Sequence, residues 1–266
     1  MFESRVYRGT IGAVGWVGVG FLVLPTIFTA VVSFGGSQFI EFPPASFSLR
    51  WFDNIGNINQ IVGATLISLA IALGAATLAT LLGIGAALSI VRLKFPFKPA
   101  LTAFLLSPIT LPVVAIGIAL IQFFILIGIS FTWYSLLIGH LVLVMAYPIR
   151  TMVASLTLSN PSLEEAASSL GAGPWQVFRT VTLPQLMPGM VSGFLFAFLI
   201  SFDNYPISIF LVRGQITTLP IELFNYISQN LDPTPAAFST CYIVFISVLI
   251  YLAERRYKII SLSIPR

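Results

Sequence analysis

Six long apolar runs constrain the fold of this chain more than any other feature of its sequence. They lie at 11–34, 61–91, 100–128, 133–149, 189–212 and 235–253. A helix needs roughly 20 apolar residues to cross a bilayer core of about 30 Å, and most of the runs reach that length. Each run is continuously apolar and does not alternate as barrel strands do. Only 8% of the 266 residues are charged, far below a soluble domain's usual share, which excludes a soluble enzyme. The sequence therefore predicts an all-α membrane protein with six transmembrane helices.

The placement of basic residues predicts how these helices cross the membrane. If the N-terminus is cytoplasmic, the inside segments carry eleven of the thirteen Lys and Arg residues, and the outside segments carry only Arg50 and Arg213. An excess of basic residues marks cytoplasmic segments. We therefore expect both termini in the cytoplasm. The expected organisation is an N-terminal span with its periplasmic segment at 1–58, a core holding spans two to six at 59–256, and a cytoplasmic tail at 257–266.

The connection at 150–188, between the fourth and fifth spans, is predicted to form two short helices. Pro161 and Ser162 favour a helix start, and Glu164 and Glu165 stand in its first turn, where carboxylates favour the positive end of the helix dipole.

Glycines and prolines predict where this first loop helix stops. Gly171 and Gly173 end it, and Pro174 allows a second, amphipathic helix that we expect to end at Leu183-Pro184. The segment is too short to be a domain, and its small-residue face suits docking to a partner.

Within this loop, the pattern E-A-A-x-x-x-G, nine further residues and aliphatic-x-L-P resembles the motif of permease subunits of ABC importers. The matching residues are Glu165, Ala166, Ala167, Gly171, Val181, Leu183 and Pro184. Val181 stands where isoleucine is commonest. The layout of the whole chain is similar to that family as well. The resemblance implies the architecture of a type I (MetI-like) ABC importer permease, with the motif loop at 160–184.

The resemblance also implies a mechanism and a set of partners. In similar proteins this loop sits in a cleft of a cytoplasmic ATPase, whose closure moves the attached spans. The residues expected to couple to the ATPase are Glu164, Glu165, Ala166, Ala167, Gly171, Leu183 and Pro184. The implied partners are an ABC ATPase dimer, a second homologous permease and a periplasmic or lipid-anchored substrate-binding protein.

No P-loop motif is present in the sequence, so ATP and Mg²⁺ are expected to bind the ATPase. The chain itself is then neither an enzyme nor the holder of a cofactor.

Two ionisable residues lie inside predicted spans, where such residues are costly and often functional. Asp203 precedes Asn204, Tyr205 and Pro206 in the fifth span, and Pro206 is expected to break the helix and free backbone carbonyls. These groups together suit an amine-bearing or cationic solute. The alternative is that Asp203 pairs with a buried donor and only shapes the helix.

His140, in the fourth span, is the second ionisable residue. It is a further candidate for the substrate path. The alternative is a hydrogen bond to a neighbouring span, which is the commoner role of a lone intramembrane histidine.

Within the family, the chain most resembles permeases of spermidine/putrescine importers. The residues that carry this likeness lie at 106–109, 201–204 and 219–220. That group often has two aspartates in the fifth span, whereas this chain has Asp203-Asn204, which weakens the case for a polyvalent cation. Opines, 4-aminobutyrate and aminoethylphosphonate are alternative substrates of similar proteins, so the resemblance implies a small amine-bearing solute.

Two other classes of function remain as alternatives. A secondary transporter or channel that works alone would carry inverted repeats and several intramembrane charges. A membrane enzyme would need a cluster of catalytic or metal-binding groups. One histidine, one cysteine and scattered carboxylates do not provide a catalytic or metal site, and the basic residues point to the membrane rather than to nucleic acid.

Overall fold

The computed structural model describes residues 5–214 and 216–257, and most of the predicted tail, 258–266, lies outside them. The regular elements of the described residues are helices. They are α1 (Arg5–Ser33), α2 (Arg50–Asn57), α3 (Asn59–Arg92), α4 (Lys98–Leu106), α5 (Val113–Leu126), α6 (Trp133–Val144), α7 (Ala146–Leu158), α8 (Ser162–Ser169), α9 (Pro174–Val177), α10 (Leu183–Phe202), α11 (Tyr205–Leu211), α12 (Leu219–Gln229) and α13 (Thr234–Tyr257). A 3₁₀ turn at Ser107–Ile109 follows α4, and a π-helical segment at Phe178–Thr182 joins α9 to α10.

Five helical stretches in the described part of the chain are long and apolar enough to cross a membrane. They are Thr10–Ser33, Asn59–Arg92, Trp133–Leu158, Pro174–Phe202 and Thr234–Tyr257. A sixth is present if Lys98–Ile109 and Val113–Leu126 count as one span. The all-α membrane architecture predicted from the apolar runs is therefore confirmed.

The third span differs from the continuous helix that the run at 100–128 predicted. Its two halves, α4 and α5, meet at an angle of 103°. Pro108 lies in the 3₁₀ turn, and Pro112 precedes α5 with an extended ψ of 125°. Proline has no N–H to continue a helix and pushes the residue before it out of the helical conformation. Two prolines four residues apart therefore turn the chain sharply within an apolar run.

Helices α7 and α10 pack closely because glycines line their contact. A side chain at Gly193 would come within 2.5 Å of the Pro148 Cα atom, and one at Gly189 within 2.8 Å of the Thr151 carbonyl oxygen. The Thr151 hydroxyl donates a hydrogen bond of 2.7 Å to the Gly189 carbonyl. Small residues at such a spacing let membrane helices approach closely. This pair forms a rigid support for the loop that joins the two helices.

A small apolar core fixes the end of α3 nearest that loop. Ala87 of α3, Met152 and Leu156 of α7, and Leu186 of α10 are all buried together. The last turn of α3 is thereby fixed to the two helices on either side of the loop.

The described residues divide into two compact units, 5–62 with 223–247 and 63–222 with 248–257. The first holds α1 and the segment after it, in which the buried Trp51 indole donates a 2.7 Å hydrogen bond to the Gly35 carbonyl. The second holds the glycine-lined helix pair, the motif loop and the residues predicted for the substrate path. The functional candidates therefore share one unit.

Candidate functional site

The motif loop forms a short helix, a break and a second helix, as the sequence predicts. Asn160 Oδ1 accepts a 3.1 Å hydrogen bond from the Ser162 N–H at the start of α8. The helix stops at Gly171, whose φ of +88° is a left-handed conformation that favours glycine. The Gly171 N–H donates to the Ser168 carbonyl at 3.0 Å, and α9 starts at Pro174. Gly171 therefore sets the break through its backbone.

The prediction that the second loop helix ends at Leu183-Pro184 is wrong. After α9 the helix continues through the π-helical segment Phe178–Thr182 and directly into α10. Pro184 lies at the start of α10, directly after the π-helical segment, where the regular hydrogen-bond pattern of the helix is already interrupted. The loop is thus continuous with the fifth span, with a π-helical turn between them, and such turns are frequent at functional sites.

Three large apolar side chains of the loop are exposed. Leu163, Leu170 and Trp175 are 51%, 89% and 72% exposed. No side chain of α8 is buried; Ala166 and Gly171 are exposed, and Ala167 is half-buried. Exposed apolar surface of this kind marks an interaction site.

A groove of about 720 Å³ lies beside α8. Its lining includes Leu88 of α3 together with Val177 and Phe178, which follow the loop break. The short helix is therefore separated by open space from part of the protein behind it.

The two adjacent carboxylates of α8 have different surroundings. Glu164 Oε1 accepts hydrogen bonds from Arg92 Nη2 at 3.0 Å and from the Thr182 hydroxyl at 3.1 Å. The Glu165 side chain is exposed and has no hydrogen-bond or ion-pair partner among the described residues. Glu164 therefore contacts its own chain, whereas Glu165 is free to meet another protein. The Arg92 guanidinium also donates to Ser159 Oγ at 3.1 Å.

Sequence reasoning missed Arg92, Ser159 and Thr182 as members of this site. Arg92 entered only the count of basic residues for orientation. The available signal was its position as the last residue of the second span, at the same side of the membrane as the acidic turn of the loop.

The fifth span is interrupted next to Asp203, as Pro206 predicted. Helix α10 ends at Phe202, and the side chain of Asn204 caps α11 by accepting a 2.9 Å hydrogen bond from the Ile207 N–H. Pro206 stands in the first turn of the new helix, where proline is tolerated, so the break precedes it. The Asn204 carbonyl accepts a 2.5 Å hydrogen bond from Ser208 Oγ, so one carbonyl expected to be free has a partner within the chain.

Asp203 is the exposed member of this break. Its backbone N–H bonds to the Leu199 carbonyl at 3.2 Å, while its carboxylate has no hydrogen-bond or ion-pair partner among the described residues. Tyr205, the first residue of α11, is half-buried. The carboxylate is thus available to a ligand or a neighbouring subunit.

His140 has the opposite environment. It is 1% exposed, and its two ring nitrogens lie 2.8 Å from Ser201 Oγ and 3.1 Å from Ser208 Oγ. A neutral imidazole donates through one nitrogen and accepts through the other, and each hydroxyl serves either role. His140 therefore connects α6 to both sides of the helix break. Sequence reasoning did not identify the two serines, which lie seven residues apart around the break.

The family comparison decides the class of protein to which these features belong. The family described as "Binding-protein-dependent transport system inner membrane component" matches residues 79–264, which include the motif loop and the helix break. The match covers more than half of the chain. The chain belongs to this family. It is a membrane transport permease subunit and not an enzyme.

Curated relatives agree with this assignment. The spermidine/putrescine transport system permease protein PotC of Haemophilus influenzae is 30% identical over 234 residues, covering 88% of this chain and 91% of PotC. The putrescine transport system permease protein PotI of Escherichia coli K12 is 30% identical over 244 residues, covering 89% and 86%. The putative 2-aminoethylphosphonate transport system permease protein PhnV of Salmonella paratyphi A is 28% identical over 262 residues, covering 96% of each.

Solved structures support the same fold. A bacterial ABC transporter that imports the acidic polysaccharide alginate matches with a TM-score of 0.68 at 14% identity, covering 97% of this chain and 99% of that one. The methionine transporter MetNI in an inward-facing conformation matches with a TM-score of 0.58 at 17% identity, covering 79% and 99%. The type I importer permease fold predicted from the motif is therefore confirmed.

Proposed function

We propose that this permease forms the translocation path for a small amine-bearing solute of the spermidine/putrescine type. The observation that carries the proposal is the exposed, unpartnered carboxylate of Asp203 at a break between two apolar helices. A carboxylate facing lipid at this position would be strongly unfavourable, so its exposure indicates a water-filled path or a subunit contact. An ammonium group binds a carboxylate through short, charge-assisted hydrogen bonds.

The names of the relatives support the same class of solute. PotC and PotI are named for spermidine and putrescine, and PhnV is named for 2-aminoethylphosphonate. The three named solutes each carry an amino group. The likeness to PhnV favours a second candidate substrate, an aminophosphonate-like or amino-acid-like solute with one ammonium group, which suits a site with one aspartate rather than two.

The proposed energy source is a separate cytoplasmic ABC ATPase dimer that holds ATP and Mg²⁺ and docks on the loop at 160–184. The exposed Leu163, Leu170 and Trp175 support this placement because they offer apolar area without opposing charge. Glu165, Ala166, Ala167 and Gly171 lie on the same loop and form the expected contact. Leu183 and Pro184 begin α10 and would transmit the motion to the fifth span.

The rest of the proposed assembly follows from the family and from charge. The excess of basic residues on one side supports cytoplasmic termini, so the loop faces the ATPase. A second homologous permease and a periplasmic or lipid-anchored binding protein complete the proposed importer. A related structure of the alginate transporter is described as a complex with a substrate-bound periplasmic protein. Substrate selection would begin at this partner.

The test is to purify the tagged chain from its native membrane in mild detergent and identify the co-purifying proteins by mass spectrometry. We expect an ATPase with Walker motifs, a second permease and a binding protein. The purified binding protein is then titrated with putrescine, spermidine and 2-aminoethylphosphonate. Recovery of the chain alone, under conditions that preserve a known ABC complex, would favour a stand-alone transporter instead. A binding protein that takes none of the amines would refute the substrate class while leaving the importer intact.

A further inference from the structure

The end of α3 and the motif loop are joined by a polar cluster that neither the motif nor the family match assigns. Its members are Arg92, Ser159, Glu164 and Thr182, and three hydrogen bonds of 3.0–3.1 Å connect them. The Arg92 and Glu164 side chains are only 24% and 23% exposed, and Thr182 is buried. One carboxylate oxygen therefore binds a residue of α3 and a residue of the π-helical segment at once.

This cluster ties α8 to α3 and to the π-helical segment through the Glu164 side chain. The helix buries no side chain of its own, and the groove lined by Leu88 and Val177 leaves space beside it. A helix of eight residues without a buried face has little packing to fix its position. Arg92, in contrast, lies at the end of a helix that the core around Ala87 and Met152 fixes.

The chemistry of the pair suits a rigid connection. Exposed ion pairs are weak because both side chains lose freedom and water screens the charges. Here both charges are three-quarters buried, and each has its own hydroxyl partner, Ser159 for Arg92 and Thr182 for Glu164, so the network holds each member in one geometry. Arg92 Nε is buried and has no partner among the described residues. The guanidinium is therefore partly desolvated, and Glu164 is the carboxylate that compensates its charge.

We propose that Arg92 and Glu164 form the joint that transmits movement of the docked loop to α3 and, through Thr182, to the fifth span. The two are positioning residues: Glu164 acts within the chain, whereas its neighbour Glu165 has an exposed side chain that is left for the proposed ATPase. Without the joint, α8 would still dock, but it would move into the groove beside it and α3 and α10 would not move with it. This inference rests on the proposed function, because it presupposes an ATPase on the loop.

The experiment uses the complete importer, reconstituted in liposomes with its ATPase and binding protein. Arg92→Gln and Glu164→Gln are each expected to lower solute uptake by about tenfold while ATPase still co-purifies and hydrolysis per solute rises. The exchanged pair Arg92→Glu with Glu164→Arg is expected to return uptake to within about threefold of the unaltered importer. Lys94→Gln is the matched control, because Lys94 is an exposed cation two residues beyond Arg92 and has no partner among the described residues.

A second combination separates the two adjacent carboxylates. In a Glu164→Gln background, Arg92→Gln should lower solute uptake no further. In a Glu165→Gln background, Arg92→Gln should lower uptake by the same factor as it does alone. Three outcomes would each overturn the joint. In the first, Arg92→Gln and Glu164→Gln lower uptake independently; in the second, the exchanged pair transports no better than the single variants. In the third, Lys94→Gln lowers uptake as much as Arg92→Gln. If the single variants fail to insert, the exchanged pair decides by itself. Absence of the ATPase from the unaltered chain would refute the proposed function instead.

Discussion

Two interruptions of helix lie within forty residues of one another, and they use polar residues in opposite ways. At the first, between α8 and α9, Gly171 with a φ of +88° makes the break, and Glu164, in the first turn of α8, is held by Arg92. At the second, between α10 and α11, Asn204 caps the new helix and Asp203 has no partner among the described residues. Each interrupted segment thus carries one carboxylate, which is paired within the chain in the loop and unpaired in the fifth span.

The difference indicates that the two carboxylates have different roles. A paired carboxylate fixes geometry, which suits a loop that passes on mechanical movement. An unpaired carboxylate at membrane depth has a free energy cost in the resting protein, and a ligand that binds it recovers that cost. We therefore expect substitutions at the first break to separate hydrolysis from uptake, and substitutions at the second to change how well the solute binds.

The largest effect is expected at Gly171. Gly171→Pro removes the N–H that bonds to Ser168 and demands a negative φ, so it should abolish uptake while the chain still inserts in the membrane. Glu165→Arg should also abolish uptake, because it reverses the charge of an exposed side chain on the motif loop. Solute uptake at matched expression is the measurement.

Alanine at two glycines provides the control for this prediction. Gly171 and Gly173 both have open space where a Cβ would stand, but only Gly171 has a positive φ. Gly173→Ala should retain uptake. In Gly171→Ala, the left-handed backbone conformation that the break requires should be about 1–2 kcal/mol less favourable than with glycine. Persistent uptake in Gly171→Pro at normal expression would refute the coupling role of the loop.

The next effect concerns Asp203. Asp203→Asn keeps the size of the side chain but removes its charge, so uptake of an amine should fall by about tenfold through a higher KM. Co-purification of the partners should be unchanged. Because the unpaired carboxylate has a free energy cost in the resting protein, removing its charge should not lower the stability of the importer. Unchanged uptake kinetics would return Asp203 to a structural role.

Substitution of His140 should lower the stability of the protein and leave the KM for solute unchanged. His140→Leu leaves Ser201 without its ring-nitrogen partner in a buried site, which should destabilise the protein by about 1–3 kcal/mol. The KM for solute should stay the same in the fraction that folds. Thermal unfolding in detergent and uptake normalised to folded protein measure the two quantities. A raised KM with normal stability would place His140 on the substrate path.

The smallest effect is expected at a polar cluster outside both breaks. Tyr226 donates a 2.7 Å hydrogen bond to Asp232 Oδ2, and burial raises the pKa of its phenol. Tyr226→Phe should lower stability by about 1 kcal/mol at neutral pH and leave uptake unchanged.

The pH dependence of this contribution has a defined sign. A raised pKa means that the fold favours the protonated phenol, so its contribution is complete below an unfolded pKa of about 10 and disappears as pH rises through the folded value. The stability difference between the parent and Tyr226→Phe should therefore narrow only in alkaline solution. A difference that narrows between pH 6 and 8 would contradict the assignment.

Much of the fold could be predicted because local signals dominate it. Continuous apolar runs indicated the spanning helices, and Gly171 and Pro206 each indicated a break that the structure contains. The bend of 103° between α4 and α5 was missed because the two prolines lie inside an uninterrupted apolar run. The continuation of the second loop helix was missed because Pro184 is equally suited to the end of one helix and the first turn of the next.

The contacts of the site depend on tertiary structure and could not be predicted from local sequence. Arg92 and Glu164 are 72 residues apart, and only the packing of α3 against α7 and α10 brings them together. The same holds for His140, whose serine partners come from two helices on either side of a break. Residue type and depth identified these residues as candidates, but only the three-dimensional arrangement distinguishes a held side chain from a free one.

The most direct test of the account is to ask what touches the exposed face of the loop in a living membrane. A photo-reactive phenylalanine replaces Leu170, which is 89% exposed, and in a matched strain it replaces Leu231, which is 74% exposed outside the loop. After irradiation, adducts are identified by mass spectrometry. If the ATPase docks on the loop, position 170 forms an adduct with a Walker-motif ATPase and position 231 does not. An intact complex in which position 170 forms no ATPase adduct would contradict it.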